Sequence, residues 1–120
     1  MSPKKLVQDF YKSDALINSE IMNTFLHPEV LLDWNNSKGF DQLNREDILN
    51  LSKELGRAYI RSKVRISHLL KDGDQIVVRY DHYIKTIENP REEMLLAHFM
   101  VIWEVKDQLL YRGFQISQLP

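Results

Sequence analysis

The stretch SKVRISHLLKDGDQIVVRYDHYI, residues 62–84, decides the fold of this chain. Over residues 62–71, Val64, Ile66, His68 and Leu70 fall on one face, with Lys63, Arg65, Ser67 and Lys71 among those on the other. That period of two is the pattern of a half-buried strand. Asp72-Gly73 supplies the turn of a β-hairpin. Ile76, Val78, Tyr80, His82 and Ile84 then resume the alternation against Val77, Arg79, Asp81, Tyr83 and Lys85.

Downstream the meander continues. Asn89-Pro90 turns the chain, and residues 94–105 are apolar on both faces, as a central strand covered on both sides requires. One face carries Leu95, Ala97, Phe99, Val101 and Trp103; the other carries Leu96, His98, Met100, Ile102 and Glu104. After Lys106-Asp107-Gln108 the last strand runs from Leu109 to Ser117. Its facing stays open: either Tyr111 and Gln115 point inward, or Arg112 and Phe114 do.

Upstream, residues 1 to about 60 read as helices. Ser2-Pro3 is an N-cap followed by proline at the first helical position, and Leu6, Val7, Phe10 and Tyr11 form one stripe. Asn18-Ser19 starts a second helix carrying Ile21, Met22, Phe25 and Leu26, which ends near His27 because Pro28 disfavours helical geometry before it. Val30 to Trp34 reads as a short buried strand, and Asn35 to Gly39 as a loop. Asn44 and Asp47 have the spacing of a capping box, and Leu43 and Ile48 that of a hydrophobic staple. The third helix buries Ile48, Leu51, Leu55, Ala58 and Tyr59, with Arg57 and Arg61 near its end where the helix dipole favours cations. Helices followed by strands predict an α+β domain spanning residues 1–120, with three N-terminal helices packed on the concave face of a curved, mainly antiparallel sheet that leaves a cone-shaped hollow beneath them.

Composition narrows the function. Apolar residues at 43% and charged residues at 28% are ordinary for a globular domain. A net charge of −1 gives no field to gather nucleic acid or an anionic membrane, so neither is expected as a partner. The absence of cysteine excludes disulfides, thiolate metal sites and a cysteine nucleophile. No apolar leader or membrane span is present in the sequence, and a soluble cytoplasmic domain is expected. Phosphate loops, nucleophile elbows and zinc-binding helices are absent, and no cofactor or metal is expected.

Three stretches carry a family resemblance. They are Phe25-Leu26-His27-Pro28-Glu29-Val30, Asn44-Arg45-Glu46-Asp47-Ile48, and Trp103 through Leu110. With the order of elements, they make the chain similar to the nuclear transport factor 2-like superfamily, which includes SnoaL-like polyketide cyclases and ketosteroid isomerase. The resemblance implies a conical barrel with an apolar cavity, commonly a homodimer. It places Asp33 at the proton-transferring base of the isomerase pattern and Tyr11 near the oxyanion donor. The partner acid of that pattern falls near Val101, which cannot donate. The family's usual glycine is replaced by Asn44 and by Gln108. On the resemblance, Tyr111 and Gln115 are favoured as inward-facing.

These readings define the candidate site. Asp33, His82 and Tyr11 are the catalytic candidates, and His82 has the alternation that projects an imidazole into the hollow. Trp34, Tyr59, Tyr80, Phe99 and Trp103 suit a cavity for a flat ligand, with His68 and Gln115 added from their strands. Arg79 and Asp81 read as a surface ion pair. The second face of residues 94–105, with His98, Met100 and Ile102, predicts a homodimer through the convex face of the sheet. The expected function is to bind a small apolar or aromatic molecule, with isomerase, cyclase or dehydratase chemistry as the enzymatic form. The alternative is a non-catalytic dimeric protein-interaction module.

Overall fold

The computed structural model describes residues 2–120. The described residues form three α-helices: α1 (Pro3–Lys12), α2 (Ser19–Phe25) and α3 (Arg45–Ala58). A single 3-10 turn at Ala15–Ile17 joins α1 to α2. Six strands accompany the helices, the first two between α2 and α3 and the other four after α3: β1 (Leu26–Asn36), β2 (Gly39–Asn44), β3 (Tyr59–Asp72), β4 (Gln75–Thr86), β5 (Met94–Lys106) and β6 (Leu109–Gln118). They form one sheet in the order β2-β1-β6-β5-β4-β3. All neighbours are antiparallel except β1 and β6. The sheet does not close on itself; β2 and β3 are its edges.

Local chemistry sets the helix starts as the sequence predicts, whereas α2 ends at Phe25, and Leu26 and His27, expected at its end, already belong to β1. Ser2 accepts a hydrogen bond from the Lys5 amide, and Pro3 opens α1. Asn18 caps α2 through the amides of Glu20 and Ile21. At α3 the capping box is complete: Asn44 Oδ1 takes the Asp47 amide at 2.9 Å, and Asp47 Oδ2 takes the Asn44 amide at 3.0 Å. Such a cap contributes on the order of 1 kcal/mol.

The segment before α3 differs from expectation. Residues read as a loop form a tight Ser37-Lys38 turn, and β1 and β2 pair as a hairpin from Asn36–Gly39 to Leu31–Asn44. Glycine is required at position 39, where φ is +126°. Strand β1 is also longer than the expected core at residues 30–34. At the other end of α3, Tyr59 is already extended and begins β3 instead of continuing the buried stripe, while its amide closes the last turn onto Leu55. Ala58 is exposed.

One core lies between the helices and the inner face of the sheet. It joins Leu6, Val7, Phe10 and Tyr11 of α1 to Ile76, Val78 and Tyr80 of β4 and to Val101 and Trp103 of β5. Buried Ser52 fastens α3 to the 3-10 turn by donating to the Ala15 carbonyl at 2.6 Å. Gly56 permits the same approach, because a Cβ there would stand 2.3 Å from the Ile17 carbonyl oxygen. The helices are thereby held over the sheet as a roof. Bulges interrupt the ladders between Ile66 and His68, between His82 and Tyr83, and between Glu104 and Val105. Bulges bend and twist the strands that carry them. Beneath this roof the strands and helices leave an unfilled space.

Candidate functional site

Strand parity selects what faces that space. β4 presents Tyr80 and His82, β5 presents Ala97, Phe99 and Trp103, and β6 presents Gln115 and Ser117. From above come Phe10 and Tyr11 of α1 and Ile48, Leu51 and Leu55 of α3. Leu32 and Trp34 of β1 close one flank. Together they line a cavity of about 430 Å³ that is partly open to solvent. Asn36, Ser37, Lys38 and Asp41, from the β1–β2 hairpin, also line it. A cavity of this size is in the range that holds small organic molecules.

Aromatic rings pave one wall. Tyr80 and Phe99 stack, their planes 7° apart and centroids 4.9 Å apart. Tyr11 tilts against Tyr80 at 4.6 Å, and Phe10 meets Trp103 edge-on at 6.3 Å. The Trp103 indole donates to the Tyr11 hydroxyl at 2.8 Å, which leaves the phenolic proton of Tyr11 free to donate elsewhere. Burial raises the pKa of Tyr11 and, with Tyr11 as its neighbour, that of Tyr80. Both therefore remain neutral phenols at physiological pH. On the far flank the Trp34 indole donates to Ser117 Oγ at 2.8 Å.

His82 is the titratable group whose state this environment decides. It is only 2% exposed, and desolvation lowers its pKa from 6.5 to about 4. At neutral pH the ring is uncharged. Its Nε2 lies 2.7 Å from the Ser62 hydroxyl of β3. Among the described residues Nδ1 has no hydrogen-bond partner. Ser62 either donates to Nε2 or accepts from it, and the choice fixes whether Nδ1 is a donor or an acceptor. Ser62 is absent from the sequence-based site, although it shares the inward parity of Val64 and Ile66.

The other candidates divide sharply. Tyr11, Trp34, Tyr80, His82, Phe99, Trp103 and Gln115 all line the cavity. Asp33 does not: it alternates with Leu32 and Trp34, so it lies on the opposite face of β1, where Gln42 donates to its Oδ1 at 2.9 Å. His68 is turned out of the alternation by the bulge after Ile66; it is exposed and bonded to Ser67, while half-buried Leu69 packs against the core. Leu70, on the same predicted inner face, is likewise exposed. Tyr59, at the very start of β3, is outside the lining. Leu96 joins the lining beside Ala97 where the β4–β5 register shifts.

The facing of β6 is now fixed at its centre. Gly113, Gln115 and Ser117 face inward, and Phe114 and Ile116 outward. Tyr111 instead stacks edge-on with His27, outside the cavity. Arg79 and Asp81 make no ion pair: Asp81 Oδ1 lies 2.7 Å from His98 Nδ1, and Arg79 donates to Ser67. Among the described residues no three histidine, aspartate or glutamate side chains converge as metal ligands.

No family model and no curated protein matches the chain at the level of sequence. Solved structures match it by fold. IdmH of Streptomyces antibioticus, a proposed polyketide cyclase, superposes with a TM-score of 0.76 at 12% identity, over 98% of this chain and 92% of its own. The fold is nuclear transport factor 2-like. A nuclear transport factor 2-like protein of unknown function from Burkholderia pseudomallei matches with a TM-score of 0.67 at 13% identity, over 96% of this chain and 90% of its own. TerC, co-crystallised with polyporic acid, matches with a TM-score of 0.66 at 17% identity, over 96% and 91% of the two chains. At these identities the likeness establishes the nuclear transport factor 2-like architecture, and one architecture hosts many activities. No helix among the described residues is long and apolar enough to cross a membrane.

Proposed function

We propose that this chain binds a small, flat, mainly apolar molecule between its helices and sheet, and that His82 is the group that meets a carbonyl or hydroxyl of that molecule. One observation carries the reading. A wall of stacked rings, apolar over most of its area, holds an imidazole at its edge with one nitrogen tied to Ser62 and the other free. The likeness to TerC, which was co-crystallised with polyporic acid, supports a small-molecule role for the fold. If ligand is turned over, the chemistry suited to these groups is isomerisation, cyclisation or dehydration of a hydrophobic carbonyl compound. Neutral His82 would exchange the proton, and the Tyr11 phenol would donate to developing negative charge on oxygen. Asp33, on the far side of β1, takes no part in this proposal.

The experiment is His82→Gln, which keeps hydrogen-bonding capacity and removes proton exchange. With a carbonyl substrate that the protein turns over, the expected loss in kcat is about a hundredfold or more, with ligand affinity within about threefold. Unchanged turnover would reject His82 as the proton carrier.

A second reading rests on a different face. Met100 and Ile102 of β5 lie directly opposite Ile116 and Phe114 of β6, and all four are exposed. We propose that this convex patch pairs with a second copy of the chain; as a non-catalytic dimer the protein would then serve as an interaction module.

A further inference from the structure

Gln115 sits near the middle of the inner face, between Val101 on β5 and Trp34 on β1. Its residue is only 9% exposed, and it lines the cavity. Among the described residues its side-chain amide makes no hydrogen bond, whereas the neighbouring polar groups are used: Trp34 donates to Ser117, and Trp103 to Tyr11. The amide opens onto the cavity and is not a sealed, unpaired group, so its donor and acceptor are met by whatever occupies that space. The lining also lacks any buried charge. Its two charged side chains, Lys38 and Asp41, are exposed on the β1–β2 hairpin. A charged ligand group carried to the depth of Gln115 would find no counter-charge there and would lose its hydration.

Taking the cavity as a ligand site, as proposed above, we infer that its ligand is a neutral planar molecule with a hydrogen-bond donor and acceptor side by side on one edge, as in a lactam or an imide, paired with the Gln115 amide. The amide carbonyl oxygen accepts the ligand N–H, and the amide N–H donates to the ligand carbonyl. Two parallel bonds in one plane fix the ring's orientation, which stacking on Tyr80 and Phe99 alone leaves free to rotate. A ligand whose polar atoms are separated, or which carries only an acceptor, leaves half of the amide unpaired and binds more weakly.

Three probes of nearly equal size separate these cases: carbostyril, which presents a cis-lactam edge; N-methylcarbostyril, which keeps the carbonyl but loses the donor; and naphthalene, which has neither. Binding to the wild-type protein and to Gln115→Met, a replacement of similar volume, is measured by calorimetry or by quenching of tryptophan fluorescence. The expected order in the wild type is carbostyril tighter than N-methylcarbostyril by about tenfold or more, and naphthalene weakest. In Gln115→Met the preference for carbostyril should shrink to about twofold or less. Equal affinities for carbostyril and its N-methyl form in the wild type would overturn the pairing with Gln115 while leaving the cavity a binding site. Failure of all three probes to bind the wild type would overturn the ligand site itself.

Discussion

The two faces of the β5–β6 pair are both rich in apolar side chains, yet they make opposite demands. On the inner face, Phe99, Val101 and Trp103 are covered by helices, and the polar groups among them are short of partners: the Gln115 amide and one nitrogen of His82. On the outer face, Met100, Ile102, Phe114 and Ile116 are uncovered, and polar neighbours such as Asp81, His98 and Asp33 are already paired with one another or with Gln42. A concave surface with unpaired polar atoms suits a small molecule that brings matching atoms. A convex surface with satisfied polar groups and exposed methyls suits another protein surface. Binding chemistry therefore belongs inside, and assembly outside.

The comparison breaks most visibly at Trp103. Trp103→Ala removes a buried ring and the donor to Tyr11, and should cost about 3–5 kcal/mol of stability by urea denaturation. If the cost is below about 1 kcal/mol, the inner face is not packed as described. A smaller inner-face effect comes from pH. Because burial holds the folded-state pKa of His82 near 4 against 6.5 for the free group, the unfolded chain binds the extra proton between those values. The stability contribution is complete above about pH 6.5 and is lost as pH falls toward 4, on the order of 3 kcal/mol in all. His82→Gln should flatten that part of the stability–pH curve; an unaltered slope would mean that His82 is not buried neutral. The outer face should respond least in the monomer. Ile116→Ser should shift monomer stability by less than about 0.5 kcal/mol, yet weaken self-association about tenfold or more in sedimentation equilibrium. A wild-type protein that stays monomeric at high micromolar concentration would remove the outer half of the comparison.

Legibility in the sequence followed how local each determinant is. The α3 start was readable because Asn44 and Asp47 satisfy each other within one turn, and β4 because its five inward residues alternate without interruption. Strand β2 was not: Phe40 to Gln42 at the sheet edge are all exposed, so no buried face imposes a period on them. His68 was misplaced for a related reason. A bulge moves one residue out of phase, and nothing in residues 62–71 marks where the extra residue falls. Asp33 came from a family pattern, and its neighbours Leu32 and Trp34 take the inward positions instead. Ser62 was legible in principle, since extending the alternation back from Val64 reaches it, but its partnership with His82 depends on cross-strand geometry.

Crystals of the wild-type protein grown with naphthalene would test the cavity most directly, because that probe asks for space and stacking alone. The expected result is ring-shaped density against Tyr80 and Phe99, bounded by Trp103 and the underside of α3. Density for protein side chains filling the same volume, with the probe excluded, would contradict it.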